Sequence, residues 1–232
     1  VTDQSHLDEP TNFLYPFIDS EESDVEALLI DLQASAVAKA KQSAALRRST
    51  LQSTADLVDE AAHEIARRFA AGGRLFAFGN GGSSTDAATL ASLFAQPTTG
   101  QPLAAWSLTA DEAVLTALSN DVGFDLVFAR QLIARAGPLD IAVAMSTSGT
   151  SADLLLALRE AHRRGMYTVG FAGYDGGDFV INPDVDVCLV VRSQSVHRIQ
   201  EAQALLGYRL WSAVQALIGS ATSDRATNRG VQ

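Results

Sequence analysis

RLFAFGNGGSSTDAATLASLFA at residues 74–95 and LDIAVAMSTSGTSADLLLALRE at residues 139–160 decide the fold. Each opens on a short apolar run, RLFAF at 74–78 and LDIAVAM at 139–145. Runs of roughly four to eight apolar residues, without polar alternation, suit strands buried on both faces. Each run then turns through small polar residues, GNGGS at 79–83 and STSGTS at 146–151. Each continues into an Ala- and Leu-rich segment, 85–95 and 152–164, that favours helix.

The same alternation extends outward. Further strands are expected at 103–108, 166–172 and 185–191, and helices near 111–119, 125–136 and 195–218. GYDGG at 173–177 reads as a turn. Five short apolar strands alternating with helices imply an α/β three-layer sandwich around a five-stranded parallel, doubly wound, flavodoxin-like sheet. An N-terminal helical extension precedes it. Leu28, Leu29, Leu32, Val37 and Leu46 stripe a helix over 22–49, and Leu57, Ala61, Ile65 and Phe69 a second over 53–71. Residues 1–20 read as a polar arm with one aromatic cluster at Phe13, Tyr15 and Phe17. One domain over 21–220 and a polar tail over 221–232 complete the division.

Composition narrows the function. The formal net charge of −10 argues against attraction of nucleic acid by the overall field. No apolar run approaches the ~20 residues of a membrane span. The acidic, polar start VTDQSHLDEP lacks the pattern of a secretory signal. The single cysteine, Cys188, excludes an internal disulfide and a multi-cysteine zinc site, and a reducing, cytoplasmic home fits. Within the apolar run 185–191, Cys188 reads as a small buried hydrophobe.

In an open parallel sheet ligands bind beyond the carboxyl ends of the strands, where both Ser/Thr/Gly loops fall. Three glycines in 79–83 let the backbone approach a ligand closely, and the following helix offers free N–H groups to an anion. Five hydroxyls in the six residues 146–151 suit the oxygens of a phosphate monoester. Neither loop holds the Gly-Lys-Ser/Thr of a nucleotide P-loop. Either loop alone also fits a helix cap with a tight turn.

The sequence resembles the sugar-isomerase (SIS) domain family, and within it the phosphoheptose isomerases and the bacterial protein that associates with the replication initiator DnaA. GNGGSSTDA at 79–87, LSNDVGFDLVFARQ at 118–131, STSGTSADLL at 146–155, GYDGG at 173–177 and RIQE at 198–201 carry the likeness. The resemblance implies that Ser83, Ser146, Thr147, Ser148 and Ser151 hold a phosphate. It implies that Asn80, Gly81, Asn120, Asp121 and Gln200 line the sugar side. It implies a homotetramer with N-terminal helices in its core and, in the initiator-associating branch, a DnaA-like protein partner.

Phosphoheptose isomerases also carry a histidine and a glutamate where this chain has Thr89 and Leu93, and a histidine where it has Tyr208. Of their zinc set only Gln200 remains, and one amide oxygen cannot hold zinc, so no metal or other cofactor is expected. The loss also removes the expected acid/base pair. Asp121, His197, Glu201 and Tyr208 are the remaining catalytic candidates, each with an ordinary structural alternative. Asp86 reads as a first-turn residue complementing the helix dipole, and His63 and His162 take no role. Three functions follow: a phosphosugar-binding protein with a sensing or regulatory role, an active ketose/aldose phosphate isomerase such as one for sedoheptulose 7-phosphate, or an interaction module that engages DnaA. The expectation places the first ahead.

Overall fold

The computed structural model describes residues 25–229. The expected arm at 1–20 with its aromatic cluster, and the last three residues of the tail, lie outside the described residues. The chain divides into two compact units, Val1–Gln42 and Ser43–Gln232, with the boundary inside the first helix.

Helix α1 spans Val25–Ser53. Of its expected stripe, Leu28, Leu29, Leu32 and Val37 stand exposed. Helix α2 spans Ala55–Ala70 and buries Val58, Ala61, Ala62, Ile65 and Ala66. Of the expected stripe, Ala61 and Ile65 are buried and Phe69 packs partly buried against the core, while Leu57 is exposed. The α/β core follows as β1 (Leu75–Gly79), α3 (Gly82–Ala95), β2 (Ala105–Ser107), α4 (Glu112–Asp121), α5 (Val127–Arg135) and β3 (Ile141–Met145). It closes with α6 (Ala152–Arg163), β4 (Tyr167–Gly173), α7 (Gly177–Ile181), β5 (Val187–Val191) and α8 (Val196–Arg229). Helix α8 runs past the expected end at 218, and α7 was not foreseen.

All five strands are parallel, in the order β2-β1-β3-β4-β5. The expected three-layer, doubly wound sheet is the architecture found. Strands β1, β3 and β4 are buried along their whole length, as two covered faces require. Alternate side chains feed opposite cores. Leu75, Ala77, Ile141, Val143 and Met145 meet Ile65 of α2, Leu90 and Phe94 of α3, and Leu206 and Leu210 of α8. Phe76, Phe78, Ala142 and Ala144 meet Phe128 and Leu132 of α5 and Leu154 and Leu158 of α6.

This order places a topological switch point between β1 and β3. From β1 the chain crosses outward to β2; from β3 it crosses the other way to β4 and β5. A crevice opens above such a point, at the carboxyl ends of the two strands. Among the described residues, no helix is long and apolar enough to cross a membrane.

Candidate functional site

The loops at 79–83 and 146–151 leave neighbouring strands at the same level, because Gly79 of β1 pairs in register with Met145 of β3. Close approach there requires glycine: a Cβ on Gly79 would stand 2.6 Å from the Met145 carbonyl oxygen and 2.8 Å from that of Ser83.

The first loop is shorter than expected, since α3 begins at Gly82 and takes Ser83 into its first turn. Ser83 is buried, and its N–H donates to the Asn80 carbonyl at 3.0 Å. The N-cap position is Gly81, with φ of 54°, and no side chain caps the helix. The second loop leads into α6 at Ala152, with Ser151 at the N-cap. The Ser151 hydroxyl makes no cap bond. The N–H groups of Ser151, Ala152 and Asp153 find no protein acceptor. By contrast, α4 is capped in the ordinary way, its Val114 N–H donating to the Asp111 carboxylate at 3.1 Å. Uncapped helix starts with free donors favour an anion.

The hydroxyls of 146–151 divide their work. Ser146 is buried, and its Oγ accepts from the N–H of Ser148 at 3.2 Å and of Gly149 at 2.9 Å. It shapes the loop from beneath. Ser148 Oγ accepts from the Thr150 hydroxyl at 3.0 Å and the Thr150 N–H at 3.3 Å. Thr147, Ser148 and Ser151 are half-buried, so ligand and solvent can reach them. Behind the loop the turn after β4 packs backbone to backbone: a Cβ on Gly149 would meet the Gly176 carbonyl oxygen at 2.2 Å.

A buried carboxylate that the sequence reading passed over joins the loops. Asp153, only 4% exposed on the first turn of α6, accepts from the Asn80 side-chain amide at 2.8 and 3.1 Å. Its signal was an Asp in the second loop's helix start facing an Asn in the first, but no local pattern pairs positions so far apart in sequence.

Helix α8 closes the other side. The Gln200 amide packs on Gly82, where a Cβ would meet its nitrogen at 2.2 Å, and it donates to the Asp86 carboxylate at 3.3 Å. Burial raises the Asp86 carboxyl above its usual value, while the Gln200 hydrogen bond works against the rise. Because α3 starts at Gly82, Asp86 lies beyond its first turn, and the expected role as a dipole complement gives way to this contact with Gln200. Gln203, fully buried, donates to the Ser146 carbonyl at 2.7 Å and so ties α8 to the second loop. Its other amide atom, Oε1, is buried without a hydrogen-bond partner. Asp86, Thr89, Leu90, Leu93, Met145 and Gln203 line a cavity of about 30 Å³.

The remaining candidates stand exposed on these elements. Asn120 and Asp121 end α4, exposed and bonded to each other at 2.8 Å. His197 and Glu201 are exposed on the first turns of α8. Tyr208 is 51% exposed and packs its ring at 5.3 Å from Trp211. Among the described residues, no three His, Cys, Asp or Glu side chains converge to hold a metal ion. Thr89 turns its hydroxyl back to the Thr85 carbonyl at 2.9 Å, and Leu93 has no donor atom. With Gln200 donating to Asp86, these side chains do not fit a zinc ion.

Residues 40–173 match the model of the SIS domain. The chain is 42% identical to a phosphoheptose isomerase of Solidesulfovibrio magneticus, over 79% of this chain and 90% of the relative. It is 40% identical to a phosphoheptose isomerase of Roseiflexus sp., over 73% of this chain and 86% of the relative. The solved structure of phosphoheptose isomerase from Neisseria gonorrhoeae superposes with a TM-score of 0.74 at 32% identity, covering 80% of this chain and 99% of that one.

Proposed function

We infer that this chain, which belongs to the SIS domain family, binds a small phosphorylated sugar between the loops at 79–83 and 146–151 and isomerises it between ketose and aldose forms. One observation carries the binding: two uncapped helix starts and a cluster of hydroxyls converge on the switch point between β1 and β3. The phosphate meets the N–H groups at the start of α6 and the hydroxyls of Thr147, Ser148 and Ser151. The sugar extends toward Asn80, Gly81 and Gln200. The names of the relatives at about 40% identity support the isomerase reading and a seven-carbon sugar phosphate as its substrate.

The reaction moves a proton between adjacent carbons through an enediol, and it needs a base near carbon with donors near the oxygens. Asp86 is the carboxylate that stands against the first loop, held there by Gln200. We assign it the carbon-bound proton: the C–H pair becomes the enediol double bond as the carbonyl oxygen takes a proton from solvent, and the carboxyl then returns its own proton to the former carbonyl carbon as the neighbouring hydroxyl gives a proton back to solvent and becomes the new carbonyl. The Gln200 amide orients Asp86. No metal enters this scheme.

A second reading, binding without turnover in a sensing role, draws on Thr89, Leu93 and Tyr208, where the resemblance expects two histidines and a glutamate. The test has two arms. A thermal-shift screen of ribose 5-phosphate, fructose 6-phosphate and sedoheptulose 7-phosphate should show stabilisation that grows with ligand as RT ln(1 + [L]/Kd) and shrinks in Ser148→Ala. Proton exchange at the substrate carbon in heavy water should then occur with metal-stripped protein and fail in Asp86→Asn. Stabilisation without exchange selects the second reading, and no stabilisation by any of the three ends both.

We extend the proposal to assembly. The exposed apolar side chains Leu28, Leu29, Ile30, Leu32 and Val37 on α1 support a homotetramer built on that helix. Light scattering should return the mass of four chains.

A further inference from the structure

We propose that Asp153 is a positioning residue that fixes which end of the Asn80 amide is offered to the ligand, and so makes this site selective for a sugar hydroxyl beside the phosphate. The assignment rests on the phosphosugar reading above and goes further, to the chemistry the first loop recognises.

A carboxylate only accepts hydrogen bonds. Both oxygens of Asp153 receive the Asn80 Nδ2 group, at 2.8 and 3.1 Å. The Asn80 amide is therefore held with its NH2 toward α6, and its carbonyl oxygen is left without a protein donor. A free carbonyl oxygen on the sugar side accepts from a hydroxyl and rejects a bare phosphate or carbonyl oxygen. Asp153 is nine-tenths buried and has no hydrogen-bond or ion-pair partner other than Asn80, so its placement serves this one contact. It stands two residues beyond Ser151, on the helix start that receives the phosphate. A negative charge at that point opposes anion binding. A side chain there solely to complement the α6 dipole would not need to meet Asn80 with both oxygens.

The two roles separate in binding measurements on the full chain. Titrate inorganic phosphate and the tightest of the three sugar phosphates above, in wild type, Asp153→Asn, Asn80→Ala and the double variant. In Asp153→Asn the 153 side chain can present either end, so Asn80 is free to flip. Phosphate should bind as well as in wild type or more tightly, because a nearby negative charge is gone. The advantage of the sugar phosphate over phosphate should fall about tenfold, the worth of one hydrogen bond to a neutral partner. Asn80→Ala should lose the same advantage, and the double variant should lose no more than either single change. A merely structural role predicts that both ligands weaken together, in step with the melting temperature. That outcome, an unchanged ratio of the two affinities, or losses that add in the double variant would each overturn the assignment. Wild-type protein that binds phosphate but shows no preference for any sugar phosphate also overturns it, while leaving an anion site standing. Binding of neither ligand removes the phosphosugar reading itself.

Discussion

Replacing Gly149 with alanine should cripple the second loop. Gly149 sits at φ of 71°. Left-handed backbone costs a residue with a Cβ about 1–2 kcal/mol. The new methyl would stand 2.2 Å from the Gly176 carbonyl oxygen and 3.0 Å from its carbon. Neither atom belongs to a side chain that could rotate away. Relief requires the loop and the turn after β4 to separate by roughly 1 Å, an ordinary carbon–oxygen contact being well above 3 Å. Separation stretches the bond from the Phe179 N–H to the Gly149 carbonyl, now 3.2 Å, and loses about 1 kcal/mol more. The sum is about 2–3 kcal/mol, or roughly 4–12 °C in melting temperature for a unit of this size. Calorimetry of wild type and variant measures the shift. Phosphate titration should show weakened binding, because the displaced residues adjoin Ser148 and Thr150. A variant that melts within 2 °C of wild type and binds phosphate normally would refute the reasoning, since the loop would then tolerate the added carbon without moving.

Asp140 anchors the opposite end of the sheet. Buried, it accepts from the Arg74 backbone N–H, from the Arg74 guanidinium at 2.7 Å and from the Gly137 N–H at 2.8 Å. Asp140→Ala strands these donors and should cost about 3 kcal/mol in a urea titration without altering phosphate affinity. Glu64 is drawn down to a pKa of about 2, chiefly by its hydrogen bond from Arg67 and then, against the opposing effect of burial, by Arg68. A carboxyl with a depressed folded pKa stabilises above its unfolded value, near 4.3, and loses that contribution as pH falls toward the folded value. The gap in melting temperature between wild type and Glu64→Gln should hold steady above about pH 5 and close as pH drops toward 2. Burial pushes the Cys188 thiol up to about 11, so it should resist a thiol reagent at pH 8 until the chain is unfolded in denaturant.

The sheet was legible because burial on both faces writes itself into continuous apolar runs. LDIAVAM at 139–145 contains β3, Ile141–Met145, and RLFAF at 74–78 overlaps β1 to within a residue. The helix starts were less legible. Gly82 opens α3 despite its poor propensity because the positive φ of Gly81 ends the turn there, a fact of backbone geometry that composition does not record. On α2 the stripe was legible at Ala61, Ile65 and Phe69, and only its edge was misplaced, with Val58 buried where Leu57 was expected. Alanines at 61 and 62 fit either of two adjacent stripes, and only packing on α8 and the sheet chooses between them. Both loops of the candidate site were visible in their glycines and hydroxyls. The Asn80–Asp153 pair and the raised Asp86 carboxyl were not, because they depend on residues brought together from separate strand ends and from α8.

Neither loop contains a lysine or arginine. A phosphate held there is gripped by N–H dipoles and hydroxyls while two carboxylates, Asp86 and Asp153, stand close by. The whole chain adds a formal charge of −10. In sites built on cationic side chains, added salt screens an attraction and weakens binding. Here salt screens a repulsion, whereas the short-range hydrogen bonds that hold the anion are little affected. Phosphate affinity should therefore stay level or rise between 50 and 300 mM potassium chloride, concentrations over which the Debye length falls from roughly 14 to 6 Å. Isothermal titration at constant pH measures it, with the chloride replaced by a bulkier anion in a parallel series to expose competition. A steep loss of affinity with either salt would mean that a cation outside these loops supplies the grip, and the account of a neutral cradle would fail.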